Sequence, residues 1–152
     1  MAGRTRRPVK PRSAFWDASA LVPLCVQQSN TTQAMSLYKV YAAVVWWATP
    51  IEIASALARL VRLNHLLPTD WVKARGLSSR LASSWSVIQP AEAVRASALQ
   101  IIEHYDLRAA DALQLAAALT WCKDMPQGRV FLTADHRLLN AAMLRGFDAR
   151  LV

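Results

Sequence analysis

Short apolar runs alternate with longer helical patterns along this 152-residue chain, and this alternation constrains its fold most. Runs of four to six mostly uncharged residues predict strands at 13–16, 43–48, 85–89, 129–133 and 149–152. Apolar residues at helical spacing predict helices at about 19–27, 31–40, 50–64, 69–82, 91–104, 108–123 and 136–145. Strands that alternate with helices are typical of βα units around a mainly parallel sheet, so we expect an α/β fold.

The length fits a single domain, and 54% hydrophobic residues with 18% charged residues exclude a disordered chain. Only four glycines occur, which excludes a dinucleotide-binding fingerprint and a Walker phosphate loop. The formal net charge is +8, and five basic residues precede position 13 without any acid. We therefore predict a basic flexible arm at residues 1–12 and one folded domain at 13–152. The arm could grip RNA, or it could be a solvated tail.

Neither the cysteines nor the apolar segments suggest export or membrane insertion. Cys25 and Cys122 are far apart and belong to no Cys-x-x-Cys motif, so we expect buried thiols in a reducing compartment. The longest uncharged stretch, 18–38, is rich in Gln, Ser, Asn and Thr, which excludes a membrane span. Asp17 interrupts the apolar run that follows the basic start, which argues against an export signal. We expect a cytoplasmic protein.

Three acidic residues follow predicted strands. Asp17 comes after the first strand, Glu52 shortly after the second, and Asp135 after the fourth. Ligands of open α/β sheets bind at the carboxyl ends of the strands, so these acids can be neighbours. A fourth acid, Asp111, lies in the first turns of a helix that is otherwise apolar nearly all round, where an unpaired carboxylate is costly.

Each acid also has a purely structural interpretation. The segment 49–52 has the form of a capping box with proline at the first helical position, which alone could explain Glu52. Asp17 and Asp135 both precede helices and could be N-caps. Asp111 could pair with Arg108 three residues earlier. Capping, however, does not require four acids to gather at one edge of a sheet.

A cluster of carboxylates needs positive charge, because like charges raise each other's pKa and oppose folding. With only oxygen ligands expected, the natural cation is Mg²⁺ or Mn²⁺. Such an ion lowers the pKa of a bound water and stabilises the charge that develops on a phosphodiester during hydrolysis, acting singly or as a pair. The sequence therefore suggests a metal site at Asp17, Glu52, Asp111 and Asp135.

Four motifs in this order resemble those of PIN-domain ribonucleases, specifically the VapC-type toxins of bacterial type II toxin–antitoxin pairs. The similar segments are 17–21 (DASAL), 52–59 (EIASALAR), 107–116 (LRAADALQLA) and 132–138 (LTADHRL). The resemblance covers residues 13–152. It departs from the family at Gln114, where a histidine is common, and we expect this to change a supporting contact but not the metal site.

The resemblance implies a three-layer α/β/α sandwich whose mainly parallel five-stranded sheet has the order 3-2-1-4-5. It also implies Mg²⁺- or Mn²⁺-dependent endoribonuclease activity that inhibits translation. Asp17, Glu52, Asp111 and Asp135 would be the catalytic and metal-binding quartet. Ser19 and Thr133 would support them by hydrogen bonding.

The implied partners are an RNA substrate, a cognate VapB-like antitoxin and a second copy of the chain. Arg108, Arg137 and Lys73 are candidate phosphate-binding residues, although ordinary surface ion pairs explain them equally well. The bulky run 44–47 (VVWW) and the leucines of 57–67 are mostly core, and the remainder could form a groove for a partner.

Two alternatives from other classes stay open. One is a non-catalytic RNA-binding or protein-interaction module with the same fold, its acids serving as caps and ion pairs. The weaker one is a phospho-receiver domain, which needs an acidic pair after the first strand and a lysine after the last. Here Asp17 stands alone and no lysine follows Lys123.

Overall fold

A computed structural model describes residues 12–152 and shows five strands and seven helices within that range. The strands are β1 (Arg12–Trp16), β2 (Tyr41–Trp46), β3 (Ser86–Ile88), β4 (Val130–Thr133) and β5 (Asp148–Leu151). The helices are α1 (Ala18–Cys25), α2 (Thr31–Val40), α3 (Thr49–Arg62), α4 (Pro68–Ala82), α5 (Glu92–His104), α6 (Ala109–Trp121) and α7 (His136–Leu144). The predicted arm lies outside the described residues except Arg12, the first residue of β1.

The five strands form one sheet in the order β3-β2-β1-β4-β5, and all neighbouring strands are parallel. This confirms the predicted α/β class and the 3-2-1-4-5 order. In the central strand, Ala14 is aligned with Ala43 of β2 on one side and Val130 of β4 on the other. Parallel pairing places the carboxyl ends of β1, β2 and β4 at the same edge of the sheet.

Alternate strand residues face two different hydrophobic cores, which gives the fold three layers. On one face, Trp16, Val45 and Leu132 pack with helices α1 to α4. On the other, Phe15 and Phe131 pack with α5, α6 and α7, with their rings stacked at a centroid distance of 5.3 Å. Because both faces are covered, the strands read in the sequence as continuous apolar runs.

Helix α6 is the buried helix that its apolar sequence predicts. Its residues from Ala112 to Leu119 are all buried except Leu113, and four of them are alanines. Small side chains allow α6 to lie close to α5 and to the sheet. A carboxylate at the beginning of this helix is therefore held in a rigid frame.

The predicted bounds differ from the observed ones by a few residues at most strand and helix ends. Strand β2 begins at Tyr41, two residues earlier than predicted and directly after α2. Cys25 and Cys122 are free and buried, as predicted. Val44, Val45 and Trp46 belong to the core, whereas Trp47 is 49% exposed. Among residues 12–152, no helix is long and apolar enough to span a bilayer.

Candidate active site at the carboxyl edge of the sheet

Asp17 ends β1 and caps α1, so its position is fixed from both sides. Its backbone N–H donates to the carbonyl of Leu132 in β4 at 2.9 Å. Its carboxylate accepts the backbone N–H of Ser19 at 3.3 Å, as an N-cap does. The predicted capping role of Asp17 is therefore real, and the side chain is also 96% buried, with only 4% of its surface exposed.

Two hydroxyl groups hold the same oxygen of Asp17. The Thr133 hydroxyl donates to Asp17 Oδ2 at 2.9 Å, and the Ser19 hydroxyl donates to it as well. Both hydroxyl oxygens in turn accept backbone N–H groups, Ser19 from Ala134 at 2.8 Å and Thr133 from Asp135 at 3.0 Å. The ends of β1 and β4 are thus joined by one network, in which Ser19 and Thr133 contact the acid that they were predicted to support.

Glu52 lies on the first turn of α3, but not in a capping box. The N-cap of α3 is Ala48, and no side chain of the described residues caps this helix with a hydrogen bond. Instead, the fully buried amide of Gln114 donates to Glu52 Oε1 at 3.0 Å and to the Thr49 hydroxyl at 3.3 Å. The capping-box interpretation is therefore wrong, because the Glu52 carboxylate turns toward α6 and not back to the helix start.

Asp111 and Asp135 reach the same region from two further helices. Asp111 lies on the first turn of α6, and no ion pair within 4.0 Å joins it to Arg108 in the part of the chain that the structure describes. Its structural interpretation as an ion-paired residue is thus wrong. Asp135 is the N-cap of α7 and accepts the backbone N–H of Leu138 at 2.9 Å.

The structure brings all four acids together around one pocket. This pocket has a volume of about 580 Å³ and is lined by residues of α1, α3, α6 and the β4–α7 turn. Its lining includes the four acids together with Ser19, Gln28, Ser55, Arg59, Leu60 and Leu63. Carboxylates that lie up to 118 residues apart in the sequence therefore share one concave surface.

Burial and mutual repulsion raise the pKa of three of these acids. Burial is the largest cause for Asp17, and the charge of Asp111 adds to it, while the Ser19 and Thr133 hydroxyls act in the opposite direction. Burial raises the pKa of Glu52 to about 7. The hydrogen bond from Gln114 lowers this pKa, and the negative charges of Asp17 and Asp111 raise it further. Burial and the nearby Asp135 also raise the pKa of Asp111. The pocket is electrostatically short of positive charge.

The donor chemistry of the pocket fits a hard divalent cation, because the four acids offer only oxygen ligands. In the described residues, no three His, Cys, Asp or Glu side chains stand close enough together to hold one ion. Mg²⁺ is commonly bound through one or two carboxylates, with water or substrate phosphates completing its octahedron. The arrangement therefore suits an ion held partly through water.

Arg59 is a pocket residue that the sequence analysis missed. It lies on α3 seven residues after Glu52, and Ser55 and Ala56 between them also line the pocket. Spacings of three, four and seven place these residues on one helix face, a signal that the sequence did contain. Arg59 brings a guanidinium to a pocket that otherwise carries carboxylates.

The three candidate phosphate-binding residues all lie outside this pocket. Arg108 is the exposed N-cap of α6. Arg137 forms an exposed ion pair with Asp106 at 3.5 Å, and Lys73 forms one with Asp70 at 3.3 Å. Exposed pairs of this kind contribute little to stability, so each basic group remains available to a phosphate.

No protein-family model matches the chain, and no curated protein matches its sequence. Its fold is similar to a chain of a toxin–antitoxin complex from Klebsiella pneumoniae, with a TM-score of 0.56 and 14% identity over 81% of this chain and 87% of that one. It is similar to PAE2754 from Pyrobaculum aerophilum, with a TM-score of 0.60 and 22% identity over 93% and 91%. It is also similar to FitAcB from Neisseria gonorrhoeae, with a TM-score of 0.58 and 18% identity over 90% of this chain and 95% of that one. These likenesses establish a shared fold.

Proposed function

We propose that this protein is a Mg²⁺- or Mn²⁺-dependent endoribonuclease and the toxin of a toxin–antitoxin pair. The observation that carries the proposal is the pocket in which Asp17, Glu52, Asp111 and Asp135 meet. Capping accounts for two of these acids singly, but it does not account for four carboxylates around one pocket, three of which have a pKa raised by burial and by neighbouring negative charge. A divalent cation would offset that repulsion.

In this proposal, Asp17, Glu52 and Asp111 hold the ion partly through water, because no three acids of the described residues stand close enough together to ligate it directly. When bound, the ion supplies a water of lowered pKa and stabilises charge on the phosphodiester. Ser19 and Thr133 fix the direction of the Asp17 carboxylate, and Gln114 fixes that of Glu52. Asp135 orients the attacking water or assists a second ion, and Arg59 attracts the RNA backbone into a pocket that would otherwise repel it.

The test is cleavage of RNA by purified protein with Mn²⁺, compared between the wild type and the variants Asp17→Asn and Asp111→Asn. Each variant removes one charge with little change of shape, so we expect cleavage to fall by about 100-fold or more while the melting curve stays cooperative. Asp124→Asn is the matched control, because Asp124 is an exposed acid away from the pocket. Full activity in either pocket variant would defeat the assignment. A wild type that binds RNA, gains no stability from Mn²⁺ and cleaves nothing would favour a non-catalytic RNA-binding module.

The partner of the proposed toxin is an antitoxin that blocks the pocket. Support comes from the fold shared with a chain of the Klebsiella toxin–antitoxin complex and from exposed apolar side chains on α3 and just beyond its two ends, namely Trp47, Ile51, Leu63 and Leu67, of which Leu63 lines the pocket. We expect a small protein encoded beside this chain to co-purify with it. RNA cleavage should then be absent in the complex and return when that protein is removed.

A homodimer and a cytoplasmic location complete the proposal. Light scattering of the isolated protein should give twice the 16.9 kDa mass of the chain. A translation inhibitor meets its RNA substrates in the cytoplasm, so fractionation of cells that express the protein should recover it there.

A further inference from the structure

A second cavity adjoins the acidic pocket. It has a volume of about 760 Å³ and lies between the end of α1, the end of α3 and one face of α4. Gln28 and Leu60 line both cavities, so the two lie side by side, and we refer to them together as the groove. The second cavity is lined by Cys25, Val26, Gln27, Gln28, Leu60, His65, Leu66, Asp70, Lys73, Ala74, Leu77 and Arg80.

The charge of this groove changes sign along its length. The first cavity carries four acids and Arg59, whereas the second carries Lys73, Arg80 and a single acid, Asp70. Lys73 and Arg80 are seven residues apart, which is two turns or about 10.5 Å along the same face of α4. Two cations therefore stand in a row along the second cavity.

Both cations are available to a ligand. Lys73 is 80% exposed, and its one ion pair with a described residue is with Asp70 at 3.3 Å, an interaction that a phosphate can replace at little cost. Arg80 is exposed and forms no ion pair among residues 12–152. Neither side chain is needed to neutralise a buried acid.

The floor between them is apolar. Leu60, Leu66 and Leu77 line it, and burial raises the pKa of the Cys25 thiol to about 11, so this thiol is neutral and serves as part of the floor. Gln27 and Gln28 add amide groups that can both donate and accept hydrogen bonds. Basic side chains beside an apolar floor and amides match the phosphates, flat faces and polar edges of an unpaired nucleotide strand.

We propose that the second cavity binds a single-stranded segment of RNA next to the phosphodiester that lies in the acidic pocket. Lys73 and Arg80 bind its phosphates, and the faces of its bases lie on the apolar floor. A duplex could not bind in this way, because its base faces are stacked on one another. Within the described residues, Phe, Tyr and Trp are absent from the linings of both cavities, and the second contains the ring of His65. Contacts with phosphates and with the flat faces of bases do not distinguish one base from another, so binding here tolerates many sequences. The inference rests on the proposed ribonuclease function, which it extends by a substrate geometry.

The binding test uses the Asp17→Asn protein, so that no RNA is cut, and a labelled single-stranded 12-mer of mixed sequence. Adding Lys73→Ala and Arg80→Ala should raise the Kd for the 12-mer by about tenfold or more. The slope of log affinity against log salt should fall by about 1.4, since two phosphate contacts of a single strand are lost. The matched control is Arg95→Ala with Arg145→Ala, which removes an exposed ion-paired arginine on α5 and the exposed C-cap arginine of α7, which has no ion pair within 12–152.

The cleavage test uses the active protein with Mn²⁺ and compares the 12-mer with a dinucleotide, whose one phosphate cannot lie in both cavities. Removing Lys73 and Arg80 should lower kcat/KM for the 12-mer by about tenfold and leave that for the dinucleotide within about twofold. A loss of equal size on both substrates would overturn the groove, because it would reveal a general structural defect.

Three further outcomes separate the groove from the proposed function. Unchanged affinity and salt slope in the double variant would overturn the groove while leaving cleavage by the acidic pocket intact. If the double variant loses 12-mer binding and the wild type cleaves no RNA, the groove is supported and the proposed ribonuclease function is wrong. If a duplex 12-mer or a polyglutamate peptide binds more tightly than the single strand and loses as much in the double variant, the cavity is a duplex or protein site and the proposal fails.

Discussion

Gln114 lies fully buried beneath the pocket, where its amide nitrogen donates to Glu52 and Thr49 while its carbonyl oxygen has no hydrogen-bond partner in the part of the chain that the structure describes. The amide is thus used on one side only. The hydrogen bond favours the charged form of Glu52, and the unpaired oxygen costs the fold some stability. Gln114 therefore orients the carboxylate of Glu52 and lowers the stability of the core.

We predict that Gln114→Leu weakens catalysis more than stability. Losing the hydrogen bond to Glu52 and losing the unpaired carbonyl have opposite effects on unfolding, so the free energy of unfolding should change by less than about 1 kcal/mol. RNA cleavage should fall by about tenfold, and the acid limb of the pH–rate profile should move to higher pH, because the pKa of Glu52 rises without its donor. The exposed Gln100→Leu is the control. An unchanged profile in Gln114→Leu would show that Gln114 does not position Glu52.

The raised pKa of Glu52 also predicts a pH dependence of stability. Its ordinary value of 4.5 applies to the unfolded chain, and its value in the fold is about 7. Between these pH values the folded state holds a proton that the unfolded state releases, so stability falls as the pH rises through this window. Because Glu52 is partly exposed, solvent screening reduces the effect to about 1–2 kcal/mol.

Urea unfolding at pH 5 and pH 7.5, without divalent ions, measures this loss. Glu52→Gln should remove the part of the stability loss that Glu52 causes, so the variant should be more stable than the wild type at pH 7.5. Glu103→Gln, an exposed acid on α5, should behave as the wild type does. Equal pH dependence in the wild type and Glu52→Gln would contradict the prediction.

At the scale of the elements, the helix starts carry the site. Asp17 and Asp135 both cap helices and both line the pocket, so the capping and functional interpretations are compatible at these positions. A cap accepts hydrogen bonds with one oxygen, as Asp135 does with Oδ1 from Leu138. The second oxygen and the charge remain free to act in the pocket.

We predict that two substitutions separate these roles in α7. Asp135→Asn keeps a capping oxygen, so it should lower stability by only a few tenths of a kcal/mol, whereas Asp135→Ala loses the cap and should cost about 1 kcal/mol. Both remove the charge and should reduce metal-dependent cleavage to a similar extent. Thermal unfolding and RNA cleavage are measured on the same preparations. Wild-type cleavage by Asp135→Asn would limit Asp135 to its structural role.

The same elements show what the sequence could predict. Strands buried on both faces appear as apolar runs, so their number and approximate positions followed from local pattern alone. The start of β2 could not be predicted from local pattern. Tyr41 is buried by contacts with Arg12 and Arg150, whose guanidinium groups lie 5.9 and 5.7 Å from its ring centroid. The Glu52–Gln114 hydrogen bond joins residues 62 positions apart and was equally invisible, so the capping box looked convincing. Local pattern predicts local structure, and long-range contacts decide which of its alternatives is realised.

At the scale of the whole molecule, the sheet order places the four acids at one edge. The central strand β1 supplies Asp17, its neighbours β2 and β4 lead to Glu52 and Asp135, and α6 lies behind them with Asp111. A parallel sheet collects strand ends that are distant in sequence, and here it collects negative charge. The fold bears a cost in repulsion that is greatest when these carboxylates are ionised and no cation is bound.

We therefore predict that Mn²⁺ stabilises the whole domain in a pH-dependent manner. An ion at about 100 times its Kd stabilises the folded state by about 2.7 kcal/mol, which raises the Tm of a chain of this size by about 5 °C or more. The shift should be large at pH 8, where the carboxylates are ionised, and small at pH 5, where protons compete for Glu52 and its neighbours. Asp17→Asn should lose most of the shift, whereas Glu103→Gln should keep it. A shift that is equal at both pH values, or that persists in Asp17→Asn, would place the ion elsewhere on the surface, because only the pocket couples ion binding to these raised pKa values.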